Sequence, residues 1–382
     1  MHTNSVIEIK QSALQNNLDF LKKMFGKKVV ISSVVKGNAY GHGITEFVRM
    51  AFTCGVGHFS VFDAHEARAV KKELDDNVEI MIMGYIADSD ISWAIQNNVS
   101  FYVFDKIRLQ KTIKIAKQLK LKAIIHIEVE TGMHRTGFDQ KELAWVVKTI
   151  RENSDILIFQ GLCTHYAGAE SVSNYYRIAN QIKRFSEIET FFQKENLNPK
   201  IRHTACSAAS IMFPETRMDM VRIGIIQYGL WPNNEVFVHY LNSKKIKTDP
   251  LHRIISWKSE VMHIKKVNPG DYVGYGTSFM ASEKMKIAVI PIGYAHGYSR
   301  SLSNHGRVLI NGKRCMIIGT INMNMMTVNV SDLADIKKGD EVVLIGNQQE
   351  FSITVASFSE FSNTLNYELL TRMDKGIPRK II

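Results

Sequence analysis

Short apolar runs alternate with amphipathic segments along about the first 240 residues. Apolar residues recur at helical spacing over residues 106–119 and 175–193, and Asp139 is a helix-capping residue for 139–153. Eight strand-like runs that alternate with helical segments predict a (β/α)₈ TIM barrel of the α/β class, with a doubly wound open sheet as the alternative. The strand-like runs cover residues 29–36, 58–62, 79–85, 100–104, 123–130, 157–165, 201–207 and 218–224.

Polar side chains that can do chemistry cluster at the ends of these runs. Lys36, His165, Ser207 and Arg222 each fall at or near the carboxyl end of a predicted strand. A barrel gathers its catalytic groups at that face, so their placement favours the barrel over the open sheet.

The pattern changes after about residue 241. Short alternating strands follow one another, separated by turn sequences such as Asn268-Pro-Gly-Asp271. Asn311-Gly312 between two strand-like runs predicts a tight hairpin. We therefore expect a barrel over residues 1–240 and a mostly β C-terminal domain over 241–382, with a last helical piece near 354–365.

Composition and charge narrow the class of protein. The 382 residues are 45% hydrophobic and 22% charged, which is typical of a globular protein of two domains. No secretory leader and no run of 18 apolar residues is found, so we expect a cytoplasmic protein without membrane contact. The net charge of +11 is scattered, which argues against a nucleic-acid partner. The four cysteines are far apart, which predicts neither disulfides nor a metal site.

The segment Val34-Val-Lys-Gly-Asn-Ala-Tyr-Gly-His-Gly43 is the most informative stretch. A lysine closes an apolar strand and a glycine-rich turn follows it. Partial desolvation at a barrel mouth would lower the pKa of Lys36 and make its amine nucleophilic. A lysine that only extends to solvent from a strand end is the alternative.

The segment resembles the cofactor-lysine motif of alanine racemases. Further resemblances to that family follow in order along nearly the whole chain, and together they are specific. They are Thr131-Gly-Met-His-Arg-Thr-Gly137, Thr164-His-Tyr-Ala167, Ser207-Ala-Ala209, Arg222-Ile-Gly-Ile225, Val273-Gly-Tyr-Gly276, Pro291-Ile-Gly-Tyr-Ala295 and Asn366-Tyr-Glu368. The resemblance implies a barrel followed by a β domain, as the apolar pattern does.

The resemblance also implies a reaction. The enzyme would interconvert L- and D-alanine with pyridoxal 5′-phosphate, and D-alanine would supply bacterial peptidoglycan. Lys36 would hold the cofactor as a Schiff base and act as the base on one face of the substrate. Tyr275, donated by the partner subunit of a homodimer, would be the base on the other face. One base on each face exchanges the α-proton without turning the intermediate over.

Supporting roles follow from the same resemblance. His165 would lie near the phenol, with Arg222 behind it and facing the pyridine nitrogen. Because arginine only donates, that nitrogen would stay unprotonated and the cofactor would be a weaker electron sink. The cofactor phosphate would contact Ser207 and the amides of Gly224 and Ile225, and Tyr40 and Tyr367 would reach it as well.

Arg135 and the backbone of Met323 match the family's residues near the substrate carboxylate. Many members carry a carbamylated lysine seven residues before this arginine, but this chain has Glu128. We therefore expect Glu128 to supply the negative charge itself and to orient Arg135, without a carbamate.

Other departures concern substrate choice. They are Cys206 before Ser207, Asn322-Met323-Asn324, and Ala295-His296-Gly-Tyr298. A racemase of serine or of broad specificity is therefore one alternative, and a non-catalytic pyridoxal-phosphate carrier is another. Arg222 argues against a decarboxylase, which would pair the ring nitrogen with an acid, and Tyr275 argues against a carrier or a regulatory descendant.

Overall fold

The computed structural model describes residues 4–245, 247–358 and 366–382. It divides into two compact units. The barrel unit comprises Ser12–Lys36 and Val48–Arg253, and the β unit comprises Met1–Gln11, Gly37–Phe47 and Ile254–Ile382. No helix among the described residues is both long enough and apolar enough to cross a membrane.

The strands and helices alternate in the first part of the chain and give way to strands in the second. The strands are β1 (Ser5–Ile9), β2 (Val30–Val34), β3 (His58–Val61), β4 (Glu79–Ile82), β5 (Ser100–Val103), β6 (Ala123–Glu128), β7 (Leu157–Cys163), β8 (Ile201–His203), β9 (Met220–Ile223), β10 (Ile255–Glu260), β11 (His263–Val267), β12 (Met285–Ile290), β13 (Arg307–Ile310), β14 (Lys313–Met316), β15 (Met326–Asn329), β16 (Glu341–Gln348), β17 (Phe351–Ile353) and β18 (Arg379–Ile381). The α-helices are Gln11–Phe25, Ile44–Thr53, Ala64–Leu74, Asp88–Gln96, Lys106–Leu119, Leu143–Glu152, Tyr175–Lys194, Ala209–Met212, Asn234–Asn242 and Asn366–Arg372.

The barrel unit is built on one parallel sheet of eight strands, in the order β8-β7-β6-β5-β4-β3-β2-β9. Its two end strands are joined as well. The amide of Arg222 donates to the Ala205 carbonyl over 2.9 Å, and that of Asp219 donates to the Arg202 carbonyl over 3.2 Å. These bonds close the sheet, because an open sheet would leave both edges unpaired. The predicted barrel is confirmed, and each of the eight predicted runs contains one of its strands.

The helices predicted over residues 106–119 and 175–193 are confirmed to within one residue, and the segment 139–153 contains a shorter α-helix. Asp105 caps Lys106–Leu119 by accepting a 2.8 Å bond from the Arg108 amide. Asp139 forms a capping box with Glu142, and the chain enters Leu143–Glu152 through a single 3₁₀ turn. Their inner faces pack on the sheet through an apolar cluster that includes Phe25, Ile178, Ile211, Val221, Ile223 and Tyr240.

The β unit contains a seven-stranded sheet and a three-stranded sheet. Strand β1 lies inside the larger one, antiparallel to β10 and parallel to β18. This differs from the division expected at residue 240, which assigned the N-terminus to the barrel. The reason is a non-local pairing: Ile7 and Ile9 are fully buried in a sheet whose other strands all lie between Ile255 and Ile381.

The Asn311-Gly312 hairpin is confirmed. Both residues have positive φ, 49° and 71°, and they join β13 to β14. Of the predicted helical piece 354–365, residues 359–365 lie outside the described residues, and residues 356–358 are helical.

Candidate active site

The carboxyl end of β2 is fixed by two buried side chains from the segment after β9. The Gln227 amide and the Tyr228 hydroxyl both donate to the Val34 carbonyl, over 3.1 and 2.9 Å. Ser33 donates to the Gln227 side-chain oxygen over 2.8 Å. The backbone that carries Lys36 is therefore anchored just before the lysine. Sequence reasoning did not find Gln227, whose role depends on a contact between distant segments.

The Lys36 side chain is solvent-accessible, but protein atoms surround most of its length. This desolvation, followed by the Arg135 cation, lowers the pKa of its amine, and Arg222 acts in the same direction while Glu66 opposes it. A larger fraction of the amine is therefore neutral at a given pH than for a free lysine. A neutral amine is the form that can attack a carbonyl or accept a proton.

The guanidinium of Arg222 lies inside the barrel with its terminal nitrogens fully engaged. Nη1 donates to the carbonyl of His203 over 2.6 Å and contacts Nδ1 of the same residue at 2.9 Å. Nη2 donates to the carbonyls of Thr164 and Thr204 over 2.8 and 2.9 Å. Among the described residues, none accepts a bond from Nε. That N–H is the donor that Arg222 can offer to a ligand.

His165 follows β7 and lies beside this arginine. Its Nδ1 is 3.4 Å from Nη2 of Arg222. Burial, followed by the cations of Arg222, Arg135 and Lys36, lowers the pKa of His165 to about 3. The imidazole is therefore neutral at physiological pH. Because its Nδ1 faces the arginine donor, its proton lies on Nε2, which can donate to a phenol oxygen.

Ser207, Gly224 and Ile225 form a small donor cradle at the ends of β8 and β9. The Gly224 amide donates to the Ser207 hydroxyl oxygen over 3.0 Å, which leaves the hydroxyl proton available. The Ile225 amide begins a 3₁₀ turn, so it has no partner within that turn. Hydroxyl and amide donors at a helical N-terminus suit a phosphate dianion.

A glutamate holds the loop that carries Arg135. The Glu130 carboxylate accepts bonds from the backbone amides of Gly132, Met133 and His134. Gln181, on the helix Tyr175–Lys194, ties the loop to the one after β7 by donating to the Thr131 hydroxyl over 3.2 Å and to the carbonyl of His165 over 3.1 Å. Sequence analysis missed both residues, because neither a glutamate in a loop nor a glutamine in a helix belongs to a recognisable motif.

Glu128 ends β6 and is buried. Burial raises the pKa of its carboxyl, whereas a hydrogen bond with Thr136 and the cations of Arg222 and Arg135 act against that rise. Among the described residues, no ion pair joins Glu128 to Arg135 within 4.0 Å. The expected influence of Glu128 on Arg135 is thus electrostatic, without a direct salt bridge in this structure.

The remaining predicted residues belong to the β unit. The rings of Tyr40 and Tyr367 lie 5.9 Å apart, so the fold brings these two together. Tyr275 is 73% exposed between Gly274 and Gly276, whose φ angles of 78° and 70° favour glycine. Met323 is exposed, and its carbonyl accepts a 2.9 Å hydrogen bond from the Ala295 amide. This bond joins the two segments that depart from the family's usual sequence, residues 322–324 and 295–298.

The donor set of the barrel unit fits pyridoxal phosphate. Lys36 offers an amine of lowered pKa, the Ser207–Ile225 cradle suits a phosphate, and Nε of Arg222 suits a ring nitrogen that accepts. A closed (β/α)₈ barrel with this set at the carboxyl ends of its strands defines a class of barrel enzymes that work through a lysine amine.

Comparisons with known proteins agree with that class. The family model of the alanine racemase N-terminal domain matches residues 9–232, and that of the C-terminal domain matches residues 254–381. The chain belongs to the alanine racemase family. It is 33% identical to an alanine racemase of Leptospira interrogans over 381 residues, covering 99% of this chain and 96% of the relative. It is 34% identical to one of Desulforamulus reducens over 377 residues, covering 98% of each chain.

Solved structures are similar over the same length. An alanine racemase from Bacillus anthracis with bound L-Ala-P has a TM-score of 0.91 at 31% identity, covering 100% of this chain and 96% of that one. One from Clostridium difficile has a TM-score of 0.89 at 30% identity, with the same coverage. The family named from the motifs and the predicted fold are thus both confirmed.

Proposed function

We propose that this enzyme interconverts L- and D-alanine with pyridoxal 5′-phosphate, and that the D-alanine serves peptidoglycan synthesis. One observation carries the proposal. The Lys36 amine is accessible to solvent, and the nearby cations Arg135 and Arg222 help to lower its pKa. A carboxylate substrate and an anionic cofactor both gain from such a cationic site.

Pyridoxal phosphate, when bound, supplies an aldehyde that joins to amines and a conjugated ring that accepts the electron pair left by the α-proton. Lys36 would hold it covalently. Ser207 and the amides of Gly224 and Ile225 would bind its phosphate, with the paired tyrosines Tyr40 and Tyr367 completing that end.

Two groups of the protein move the α-proton. The Lys36 amine takes it or returns it on one face of the α-carbon. On the opposite face, the Tyr275 phenol of the second protomer does the same. The neutral imidazole of His165 donates its Nε2–H to the phenol oxygen, which favours the phenolate that can take a proton. Its contact with Arg222 fixes the orientation of the ring. Arg135 and the backbone of Met323 bind the substrate carboxylate.

A homodimer is part of the proposal, because Tyr275 would be supplied by the partner. Its support is a set of large apolar side chains that are exposed on the β unit and that a second protomer would cover. The set includes Tyr272, Tyr275, Met280, Tyr294, Met323 and Met325. The cytoplasmic location expected from the sequence stays a prediction.

A purified-protein assay tests the function. We expect D-alanine to form from L-alanine, and borohydride reduction followed by peptide mass spectrometry to place the cofactor on Lys36. The Lys36→Ala variant should show neither result. Cofactor binding without turnover would leave a carrier instead of an enzyme. A panel of L-alanine, L-serine, L-lysine and L-arginine decides between an alanine racemase and one of broader specificity.

A further inference from the structure

The barrel interior beneath Arg222 contains histidines that the proposed reaction does not use. His58, His126 and His203 are each at most 5% exposed. His126 lies on β6 and His203 ends β8, and Nδ1 of His126 is 2.8 Å from Nε2 of His203. The other ring nitrogen of His203, Nδ1, is 2.9 Å from Nη1 of Arg222. Three side chains therefore form a continuous row from the barrel interior to the active site.

The direction of the hydrogen bonds in this row is fixed by chemistry. A guanidinium only donates, so Nδ1 of His203 must accept from Arg222. A neutral imidazole with an accepting Nδ1 has its proton on Nε2. That proton is donated to Nδ1 of His126, which must accept in turn. Each hydrogen bond is therefore donated in the order Arg222 to His203 to His126. If His203 carried its proton on Nδ1 instead, two donors would face each other at the arginine.

The backbone makes room for this contact. The pairing of β6 and β7 shifts register between Ile125 and His126, which places Gly161 opposite His126. A Cβ on Gly161 would lie 2.1 Å from Nδ1 of His126 and 2.9 Å from Nε2 of His203. The glycine therefore leaves open the space that the hydrogen bond occupies.

Burial keeps the imidazole of His126 neutral, so that one of its two ring nitrogens can accept a hydrogen bond. It lowers the pKa of His126 to about 3, and electrostatic repulsion from His58 and from the Arg222 cation acts in the same direction. His58 is buried in the same barrel but is outside the row, since its Nδ1 contacts the Ser32 hydroxyl at 2.9 Å. It is a matched control for the effect of losing a buried imidazole.

We propose that His126 is a positioning residue, which holds His203 as an acceptor and thereby keeps Nε of Arg222 aimed at the ring nitrogen of the cofactor. The cofactor part of this inference rests on the proposed function. Without an acceptor at residue 126, the buried Nε2–H of His203 loses its partner in the row, and only Arg222 still favours that tautomer. The Nδ1–H form then becomes available and would displace the guanidinium.

Two substitutions separate the hydrogen bond from the packing. His126→Asn places an amide oxygen near the position of Nδ1 and can still accept. His126→Leu fills a similar volume but cannot accept. Crystal structures of both variants, and visible circular dichroism of the bound cofactor, are compared with those of the wild type and His58→Asn.

We expect H126N and H58N to keep the 2.9 Å contact between Arg222 and His203 and the wild-type cofactor spectrum. H126L should lose the contact and change the spectrum. Its kcat should fall about tenfold with little change in KM, the size expected for a weakened hydrogen bond to a charged group. If H126L does not fold, H126Q serves, since its amide reaches the Nε2 position instead.

A retained Arg222–His203 contact in H126L, or an unchanged cofactor spectrum in it, would overturn the proposal. An equal spectral change in H58N would do the same, because it would show a general effect of the barrel interior. Failure of the proposed function looks different: the wild type itself would bind no cofactor or form no D-alanine. The crystal structures still decide the position of Arg222 in that case.

Discussion

Gly161 lies against the imidazole of His126, where a Cβ would come within 2.1 Å of Nδ1. Real Cβ atoms do not approach so closely, and the neighbouring histidine is itself packed against His203. The strand β7 therefore tolerates only glycine here, although its φ is not one that favours glycine. The restriction comes from side-chain packing inside the barrel.

Gly161→Ala should destabilise the protein. The methyl group forces the buried imidazoles apart, and overpacking of this kind costs about 1–3 kcal/mol. Urea denaturation measures the loss, with Gly57→Ala as the control because a Cβ at Gly57 has no atom within 4 Å. Equal stability of the two variants would contradict the packing argument.

Ser207→Ala should weaken binding of pyridoxal phosphate by about tenfold, since one donor to the phosphate is lost. Binding of pyridoxal, which lacks the phosphate, should not change. Titrations of the apoprotein with each compound, followed by absorbance, provide the measurement. A similar loss of affinity for both would mean that Ser207 supports the fold of the cradle and does not bind phosphate.

Mixed dimers test the origin of the tyrosine. Lys36→Ala and Tyr275→Ala should each be inactive alone. After the two are unfolded together and refolded, random pairing gives half mixed dimers, each with one intact site if the tyrosine comes from the partner. About a quarter of the wild-type activity should then return. No recovery in refolded dimers of native mass would show that the tyrosine acts within its own chain.

Glu128→Gln should lower the rate of racemisation, because the anion near Arg135 and Arg222 is removed. An unchanged kcat/KM for alanine would discard the role of Glu128.

The same variant should be more stable than the wild type at pH 8, and the difference should shrink near pH 4. Burial raises the pKa of Glu128 above its unfolded value of 4.5, so the folded wild type loses stability as pH rises through that window. Urea denaturation at the two pH values measures it. A difference that grows toward low pH would reverse the sign of the argument.

Stability should fall as the pH drops below about 6.5, the usual pKa of an unfolded histidine. Burial lowers the pKa of His58 to about 4, and burial is likewise the first cause of the drop to about 3 for His126 and His165. The unfolded chain therefore binds protons that the folded chain excludes, at about 1.4 kcal/mol per pH unit for each histidine. Urea denaturation between pH 7 and pH 5 gives the slope of the unfolding free energy against pH. In His58→Asn that slope should be smaller than in the wild type by the contribution of about one proton.

The sequence alone determined the elements of the barrel and the hairpin of the β unit. Local chemistry specifies both: Asp105 and Asp139 cap the helices they precede, and Asn311-Gly312 adopts the positive φ angles that a two-residue turn requires. The alternation of strands with helices specified the parallel sheet, because each helical crossover returns the chain to the end of the sheet at which the previous strand began. The ordered motifs added the family and the candidate residues Lys36 and Tyr275.

Only the tertiary structure decided which distant residues meet. The place of β1 beside β10, the anchoring of Val34 by Gln227 and the row from Arg222 to His126 all join segments that are far apart in the chain. Such contacts leave no periodic pattern, because each partner alone is an ordinary buried residue. The two contacts inside the barrel form because the eight strands enclose one common interior.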